Sequence, residues 1–362
     1  MKKKLLIYAN TLCIGGIEKS LVNLLKELDN EKYNIDLILE SIEGELLDEI
    51  PQYVSVNRYK VYKLKFKLLQ KTLNFFNQIK WYLKNNKKYN CAILYTPYSQ
   101  AGNFCVRTAS QNKVIYIHSD YTNIYKEKEF INFFKTRKIS TFENIIFVSN
   151  ESRENFLKFY PDFENKTNVI NNFIDYKEIK KKSEEKIPEK INKKDINLLF
   201  IGRLEEESKK ISIQLKLIND LIKEIPNIKL YIVGSGTDET SYKTYILNNK
   251  LEKYIIMLGN KNNPYPYIKK SDYLILTSKY EGYPVVITES IVLKTDVLST
   301  IKLSDEFFEI GNNYGFLLPK EYTKMKNEVK KIILSNKKNI NDFDFKQINK
   351  TRLEKLEKII NK

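Results

Sequence analysis

Two glutamates are the residues of this sequence best placed to do chemistry. Glu281 and Glu289 lie in the segment EGYPVVITE, which follows an apolar run typical of a buried strand. Proline suits the first position of a helix, so Pro284 predicts that Glu281 lies in a loop and Glu289 on the second helical turn. Glu289 has apolar neighbours, and a buried carboxylate needs hydrogen-bond donors. Ribose hydroxyls are such donors, and pairing with a lysine or capping of a loop is the alternative.

Positive side chains follow another predicted strand, over residues 198–201. Arg203 comes almost directly after this strand, and Lys209 and Lys210 follow a few residues later. An arginine can bind a phosphate through two parallel hydrogen bonds, and a lysine adds a point charge. The spacing leaves open whether Lys209 or Lys210 would bind the phosphate. A solvated charged loop is the alternative, because three glutamates lie between the arginine and the lysines.

Two glycine-containing loops follow predicted strands. Gly15 and Gly16 stand between the first strand and a predicted helix, where glycine permits close approach of a ligand and the helix N-terminus favours an anion. A tight turn that binds nothing is equally compatible with this pattern. Gly234 and Gly236 begin a pattern that resembles a dinucleotide-binding fingerprint, but Glu239 occupies the position of its third glycine.

The single histidine is a further candidate. His118 directly follows the strand predicted over 114–117, at the edge of the sheet where ligands bind in parallel α/β folds. A structural role for a lone histidine is the alternative.

Alternating strand and helix patterns determine where these residues lie. Apolar runs predict strands over 5–9, 35–39, 91–95, 114–117, 145–148, 198–201, 230–233, 254–257, 273–276 and 297–299. Two such series indicate an α/β protein with two doubly wound, Rossmann-like domains facing each other across a cleft. We expect an N-terminal domain over 1–175, a charged linker over 176–195, a second domain over 196–344 and a C-terminal helix over 345–362.

Composition excludes several classes of protein. The chain has 362 residues, three scattered cysteines and one histidine, which excludes a disulfide framework and a Cys- or His-rich metal site. The apolar stretch over 5–9 is shorter than a signal peptide requires, and no run is long enough to span a bilayer. The sequence therefore predicts a cytoplasmic protein that is soluble or lies on a membrane surface.

The net charge of +17 is unevenly distributed. No Asp or Glu occurs from Ile50 to Ser119, and residues 57–88 carry ten Lys or Arg residues interleaved with aromatic ones. Such a segment attracts a polyanion, whether nucleic acid, anionic lipid or a phosphorylated substrate.

The motifs in this order resemble glycosyltransferase family 4, whose members have the GT-B fold. The similarity spans nearly the whole chain, and its most specific element is the EGxPxxxxE pattern. The segments that carry it are GGIEKSLVNLL (15–25), IHSD (117–120), FVSNESRENF (147–156), VINNFID (169–175), IGRLEEESKK (201–210), LYIVGSGTD (230–238), LGN (258–260), SDYLILTSKYEGYPVVITES (271–290) and GNNYGFLLP (311–319).

The resemblance implies a hexosyltransferase that retains anomeric configuration, uses a nucleotide-diphosphate sugar and needs no metal or other cofactor. It favours uridine as the base of the donor. Arg203 and Lys209 would hold the diphosphate, Glu289 the ribose and Glu281 the donor sugar. His118 would contact the sugar near the reacting carbon. The implied catalytic set is His118, Arg203, Lys209 and Glu281. The implied donor-binding set is Gly15, Gly16, Arg203, Lys209, Gly234, Gly282, Tyr283, Pro284, Val285, Val286 and Glu289.

The resemblance also implies a biological setting, and this sequence differs from the family pattern at some positions. The similarity is to bacterial enzymes of capsule, O-antigen or related polysaccharide synthesis, so the acceptor would be a glycan or a lipid-linked glycan. The family usually has small residues, including glycine and proline, where Lys294 and Asp296 stand here. The sequence Asp342-Phe343-Asp344 resembles a metal motif of another glycosyltransferase fold, but it follows no predicted strand, and we interpret it as coincidence.

Two other functions compete with this interpretation. A nicotinamide-dependent enzyme would use the glycines at 234 and 236 but leaves Arg203, Glu281 and Glu289 without a role. A nucleic-acid-binding protein would use the basic, aromatic segment over 57–88, although the site motifs lie elsewhere. We favour the glycosyltransferase, with no nucleic-acid partner.

The basic segment 57–88 predicts peripheral attachment to the inner face of the cell membrane. Its helical pattern places six apolar side chains near one face, with lysines on both flanks: Leu68, Leu69, Phe75, Phe76, Ile79 and Leu83. The alternative is that this apolar face packs against the N-terminal domain and that the lysines are merely solvated.

Overall fold

The structure is a computed structural model that describes residues 2–301, 315–336 and 342–362. The chain forms two compact units. The first contains residues 1–174 together with 345–362, and the second contains residues 175–344. Of the motif over 311–319, residues 311–314 lie outside the described residues.

A seven-stranded parallel sheet forms the centre of the first unit. Its strands, in the spatial order β3-β2-β1-β4-β5-β6-β7, are β1 (Lys3–Ala9), β2 (Tyr33–Leu39), β3 (Val54–Arg58), β4 (Cys91–Leu94), β5 (Asn112–Ile117), β6 (Asn144–Phe147) and β7 (Thr167–Val169). Its helices are α1 (Gly16–Glu27), α2 (Lys67–Asn85), α3 (Gln100–Ala109), α4 (Glu127–Thr136) and α5 (Asn150–Leu157). The strand order reverses direction between β1 and β4, which is the point where doubly wound sheets bind ligands.

The second unit has a six-stranded parallel sheet in the order β10-β9-β8-β11-β12-β13. The strands are β8 (Ile196–Ile201), β9 (Ile228–Val233), β10 (Ile255–Gly259), β11 (Tyr273–Leu276), β12 (Asp296–Ser299) and β13 (Gly315–Leu317). The helices are α6 (Tyr176–Lys182), α7 (Glu206–Lys209), α8 (Ile211–Leu221), α9 (Glu239–Asn248), α10 (Tyr265–Lys270), α11 (Val285–Val292) and α12 (Tyr322–Leu334). Here the strand order reverses between β8 and β11.

The final helix, α13 (Phe345–Ile360), belongs to the first unit rather than to the domain that precedes it in sequence. Leu356, Ile359 and Ile360 are buried. The Asn349 side chain accepts a hydrogen bond from the Ile174 N–H (3.1 Å) and donates one to the Ile174 carbonyl (2.8 Å). Because both backbone groups of Ile174 are satisfied by one side chain, the helix is tied to the end of the first unit's main segment.

The prediction of a linker over 176–195 is wrong. Its first part is α6, which begins with a side-chain cap from Asp175 and buries Ile179. The following residues are tied to the second unit by ion pairs, such as those from Lys261 to Glu189 and from Lys269 to Glu184. Charge density suggested a solvated connection, but these charges have partners in α10 and the loop before it.

All ten strands predicted from apolar runs are present, and three further short strands occur within the described residues: β3, β7 and β13. The central strands are apolar throughout because helices cover both faces of a parallel sheet. Each missed strand lies at one edge of its sheet, where β7 and β13 have three residues each. Such strands have too few buried positions to give a periodic signal.

Candidate active site

The predicted residues of the second unit gather at the reversal of its strand order. Arg203 and Lys209 follow β8, and Glu281 follows β11. Because β8 and β11 are adjacent and parallel, the loops after them leave the same edge of the sheet side by side. The fold therefore brings together two motifs that are far apart in sequence.

Lys209 and Glu281 are in direct contact. The Lys209 ammonium donates a hydrogen bond to Glu281 Oε1 at 2.5 Å, and the Ser278 hydroxyl donates another to the same oxygen at 2.8 Å. Both charged side chains are largely buried. The attraction between these two charges is screened by water less than that of a surface ion pair, and the contact concentrates both charges at the sheet edge.

The two loops that carry this pair are fastened to each other. The Thr277 hydroxyl lies 3.0 Å from the Lys210 carbonyl and 3.3 Å from the Lys209 carbonyl, and it accepts a hydrogen bond from Gln214 Nε2 at 3.0 Å. The Lys279 N–H donates to the Ser208 carbonyl at 2.8 Å. The positions of the lysine and the glutamate are therefore set by backbone contacts, not by their own attraction alone.

The structure distinguishes the two candidate lysines. Lys209 ends α7 and reaches Glu281, whereas Lys210 has a left-handed backbone, with φ of 53°, that separates α7 from α8. Lys210 contacts this cluster through its backbone carbonyl, which accepts a hydrogen bond from the Thr277 hydroxyl. Lys209 is therefore the one of these two lysines whose ammonium contacts Glu281.

Arg203 lies in the same region but is exposed. Its guanidinium pairs with Glu205 at 3.0 Å, and 75% of the Arg203 side chain is accessible to solvent. Exposed pairs of this kind contribute about 0–1 kcal/mol, so an incoming anion can readily replace the glutamate.

Glu289 is buried on α11, as predicted from its apolar neighbours. The Tyr265 hydroxyl, from α10, donates a hydrogen bond to Glu289 Oε1 at 3.4 Å. Helix α11 begins at Val285, so Pro284 is the capping residue and not the first helical residue. Gly282, Val285 and Val286 are half-buried at this helix start, while Tyr283 and Pro284 are buried.

Close approach between two loops explains the glycines at 234 and 236. Gly234 has φ of +139°, and a Cβ there would lie 1.9 Å from the Gly202 carbonyl oxygen. A Cβ on Gly236 would meet the Leu204 backbone at 2.4 Å. The pattern is therefore accounted for by contact between the loops after β8 and β9, without a dinucleotide.

In the first unit, Gly15 is the N-cap of α1, and Gly16 is its exposed first residue. The Gly15 backbone is extended, so its conformation does not require glycine. A Cβ at Gly15 would meet the Glu18 carboxylate at 2.3 Å, a flexible side chain whose pKa is raised by burial. The predicted turn from strand to helix is present.

His118 follows β5 and is buried. Its Nε2 lies 2.9 Å from the Tyr95 carbonyl, which directly follows β4, so Nε2 carries the proton. The ring stacks on Tyr116 at an interplanar angle of 13°. Burial lowers the pKa of His118 to about 4, which keeps the imidazole neutral at pH 7. Nδ1 is buried and has no hydrogen-bond partner within the described residues, so its acceptor lone pair is not used there.

Several residues that shape the site were missed in the sequence. Thr277 and Ser278 directly follow β11 and could have been recognised as polar residues at the ligand-binding edge of the sheet. Tyr265 and Tyr95 gave no signal, because their contacts with Glu289 and His118 depend on the packing of elements that are distant in sequence.

Within residues 2–301, 315–336 and 342–362, no group of three or more His, Cys, Asp or Glu side chains is arranged so that it could hold a metal ion. Asp342 forms an ion pair with Lys294 at 2.6 Å, and this hydrogen bond lowers the pKa of the Asp342 carboxyl. Over the same ranges, none of the helices combines the length and hydrophobicity needed to cross a bilayer.

Two Rossmann-like units, with parallel sheets of seven and six strands, are the components of a GT-B fold. Two family sequence models match: "Glycosyltransferase Family 4" over residues 14–178 and "Glycosyl transferases group 1" over residues 181–343. The chain belongs to the family 4 type of glycosyltransferases. HepE from Anabaena, solved in complex with UDP, has the same fold, with a TM-score of 0.75, 17% identity, and coverage of 98% of this chain and 100% of HepE.

Curated relatives are consistent with this family. An uncharacterised glycosyltransferase of Methanocaldococcus jannaschii is 25% identical over 43% of this chain and 39% of its own length. A Campylobacter jejuni enzyme named as an N-acetylgalactosamine-N,N'-diacetylbacillosaminyl-diphospho-undecaprenol 4-alpha-N-acetylgalactosaminyltransferase is 22% identical over 82% of this chain and 80% of its own. The capsular polysaccharide biosynthesis glycosyltransferase CapH of Staphylococcus aureus is 28% identical over 58% of each chain.

Proposed function

We propose that this glycosyltransferase moves a hexose from a UDP-sugar to a glycan or lipid-linked acceptor, with retention of anomeric configuration, in bacterial surface polysaccharide synthesis. The observation that carries the proposal is the buried contact between Lys209 and Glu281 at the strand reversal of the second unit. In this proposal the lysine stabilises the leaving diphosphate, and the glutamate accepts hydrogen bonds from hydroxyls of the sugar.

Arg203 and Lys209 are the proposed phosphate-binding residues. As the bond between the sugar and the diphosphate breaks, negative charge grows on the departing phosphate oxygen. A cation that is already in position stabilises this charge without reorganisation, and such groups contribute about 10²–10³ in rate. Lys209 is held by its neighbours, while the exposed Arg203 can close onto the diphosphate from solvent.

Glu289 and His118 are the proposed hydroxyl-binding residues. Glu289 would accept hydrogen bonds from the ribose, and its position supports this role, because it lies on the second turn of α11, the helix that follows Glu281. His118 would accept a hydrogen bond from the donor sugar through the buried Nδ1, which its neutral tautomer leaves available. The half-buried start of α11 would offer N–H groups to the sugar or the phosphate.

The donor base and the acceptor class are supported by the relatives. HepE has been crystallised with UDP and with UDP-glucose. The name of the Campylobacter enzyme specifies an undecaprenol-linked acceptor, and that of CapH specifies capsular polysaccharide synthesis. We therefore propose a uridine nucleotide donor and an acceptor of the surface-polysaccharide type.

A thermal-shift screen with the diphosphates and diphosphate sugars of uridine, guanosine and adenosine tests the donor. Stabilisation is expected with the uridine compounds, and it should be lost in Glu289→Ala. Protection by NADH but not by UDP would favour the nicotinamide-dependent alternative. Preferential binding of oligonucleotides over nucleotide sugars would favour the nucleic-acid alternative.

Metal dependence and stereochemistry are tested on the reaction itself. We propose that positive side chains replace a metal at the diphosphate, so transfer should continue in a saturating chelator. Activity that is lost there and restored only by Mg²⁺ or Mn²⁺ would contradict this. Proton NMR of the first product formed should show the anomeric configuration of the donor, and an inverted product would exclude retention.

A further inference from the structure

Helix α2 presents its polar side to the protein. The Asn74 side chain exchanges hydrogen bonds with both backbone groups of Tyr62, at 2.9 and 3.0 Å. Asn77 donates to the Lys60 carbonyl at 2.7 Å, and Gln70 accepts from the Leu64 N–H at 2.9 Å. The helix is therefore attached through amide side chains to the backbone of the segment that precedes it.

The Trp81 side chain reinforces this attachment. The Trp81 indole packs edge-to-face on buried Tyr59, with ring centroids 5.4 Å apart, and its N–H lies 3.3 Å from the Cys105 carbonyl. Trp81 occupies the same side of the helix as Asn74 and Asn77, as its spacing in sequence requires. The orientation of α2 is the opposite of that of an ordinary surface helix, whose apolar side faces the core.

The apolar side of α2 is consequently exposed. Of the nineteen large hydrophobic side chains that are exposed in the described part of the chain, nine lie between residues 64 and 83. Leu68 and Leu83 are 81% and 80% exposed. We call the following residues the α2 outer face: Phe66, Leu68, Leu69, Phe75, Phe76, Ile79 and Leu83. This exposure contradicts the alternative interpretation, in which the apolar face packs against the N-terminal domain.

Lysines surround the α2 outer face. Lys67, Lys71, Lys80 and Lys84 are exposed on the same helix, and Lys63 and Lys65 precede it. No acidic residue occurs from 50 to 119, so the positive charge is not neutralised within the segment. An exposed apolar surface with a rim of one charge marks an interaction site, and here the partner must be apolar and anionic.

We propose that the α2 outer face docks this protein on an anionic lipid surface, with its apolar side chains in the acyl–headgroup boundary and its lysines at the phosphates. A lipid surface offers both apolar depth and negative charge to a helix that lies in its plane. A nucleic acid would use the lysines but leave the leucines in water. A second copy of the chain would bring the same positive rim against itself.

This inference does not rest on the proposed sugar donor or acceptor, because the partner is a surface and not a substrate. Its test needs no catalytic activity, so a failed docking test would leave the proposed reaction standing, and a failed activity test would leave the docking standing.

Vesicle co-sedimentation of the full chain is the test. Vesicles of phosphatidylcholine alone are compared with vesicles of phosphatidylcholine mixed with phosphatidylglycerol, at low and high salt. We expect sedimentation with the mixed vesicles, a decrease as salt screens the lysines, and little binding to phosphatidylcholine alone.

Two groups of variants separate the apolar and the electrostatic contributions. Replacing Leu68, Phe75, Phe76 and Leu83 by serine should weaken partition by about 10²-fold, because these side chains would enter the membrane. Charge reversal should weaken partition at least about tenfold when applied to Lys63, Lys65, Lys67 and Lys71. All these side chains are exposed, so the thermal midpoint should stay near that of the unaltered protein. Should the fourfold serine variant unfold, Leu68→Ser with Leu83→Ser is the smaller alternative.

Matched controls come from the second unit. Leu247 and Leu334 are 60% and 61% exposed, and serine at both positions should leave sedimentation unchanged. Reversal of four exposed lysines there should have a smaller effect than reversal in the basic segment: Lys177, Lys181, Lys186 and Lys190.

Unchanged sedimentation of the serine variants would overturn the proposal. Equal binding to vesicles with and without phosphatidylglycerol would overturn its electrostatic part. Tighter binding of an oligonucleotide than of the mixed vesicles would assign the surface to nucleic acid instead. Sedimentation equilibrium showing a dimer that the serine variants abolish would assign it to self-association.

Discussion

The Lys209 ammonium lies 2.5 Å from the Glu281 carboxylate, although 72 positions separate the two residues in sequence. Thr277 and Ser278 fasten the surrounding loops, so the pair is positioned before any substrate arrives. A diphosphate that enters this site would meet a cation already oriented by its neighbours, and preorganisation of this kind is the main source of electrostatic catalysis.

Lys209→Met should lower the transfer rate by about 10²–10³, because the charge on the leaving diphosphate would lose its buried cation. Lys210→Met should have little effect, because that residue contributes its carbonyl to the loop contact. Measurement of kcat and KM for both variants checks this. Equal losses in the two variants would show that general positive charge, and not the contact with Glu281, matters.

Glu289→Ala should weaken UDP binding, whereas Arg203→Ala should mainly lower kcat. A ribose partner acts in the ground state, but a phosphate cation acts most as charge develops on the leaving group. Calorimetry and steady-state kinetics separate the two effects. Glu205→Ala is the control for Arg203, because it removes the exposed partner and leaves the guanidinium in place. Equal, negligible effects of Glu289→Ala and Arg203→Ala would remove both residues from the site.

His118 should make folding stability depend on pH. Burial lowers the pKa of His118 from 6.5 to about 4. The imidazole is therefore protonated below about pH 6.5 in the unfolded chain, but only below about pH 4 in the folded chain. The free energy of unfolding should therefore decrease as pH falls from about 6.5 to 4, by up to about 3 kcal/mol. Urea titrations at several pH values measure this slope.

His118→Phe is the control for this pH dependence. Since the chain has one histidine, the variant removes every histidine contribution, and the slope between about pH 6.5 and 5 should become smaller. An unchanged slope would mean that the imidazole titrates normally in the folded protein.

Lys294→Gly should raise the free energy of unfolding by about 1 kcal/mol. Lys294 has a left-handed backbone, with φ of 59°, in a position where the family usually has a small residue. A side chain in this conformation costs about 1–2 kcal/mol, which exceeds the value of the exposed ion pair with Asp342. Thermal or urea unfolding measures the change. Lys294→Ala loses the ion pair but keeps the Cβ, so it should give no gain, and equal stability of both variants would contradict the backbone explanation.

The sequence by itself determined the two-unit α/β architecture and the sheet edge on which the site lies. Central strands buried on both faces leave continuous apolar runs, and parallel connections put all their carboxyl ends on one edge. Arg203, His118 and Glu281 could therefore be placed after their strands without coordinates. The burial of Glu289 also followed from its apolar neighbours.

Tertiary structure decided which residues touch and which side of each element is covered. Lys209 is distinguished from Lys210 by a left-handed residue and by the adjacency of β8 and β11, neither of which is encoded locally. Residues 176–195 have the composition of a linker, but glutamates among them form ion pairs with lysines of the second unit. Periodicity showed that α2 has an apolar side, but only the contacts of Asn74 and Trp81 show that this side faces outward. A repeating sequence pattern shows which side chains share a helix face. What that face contacts depends on elements that are distant in sequence.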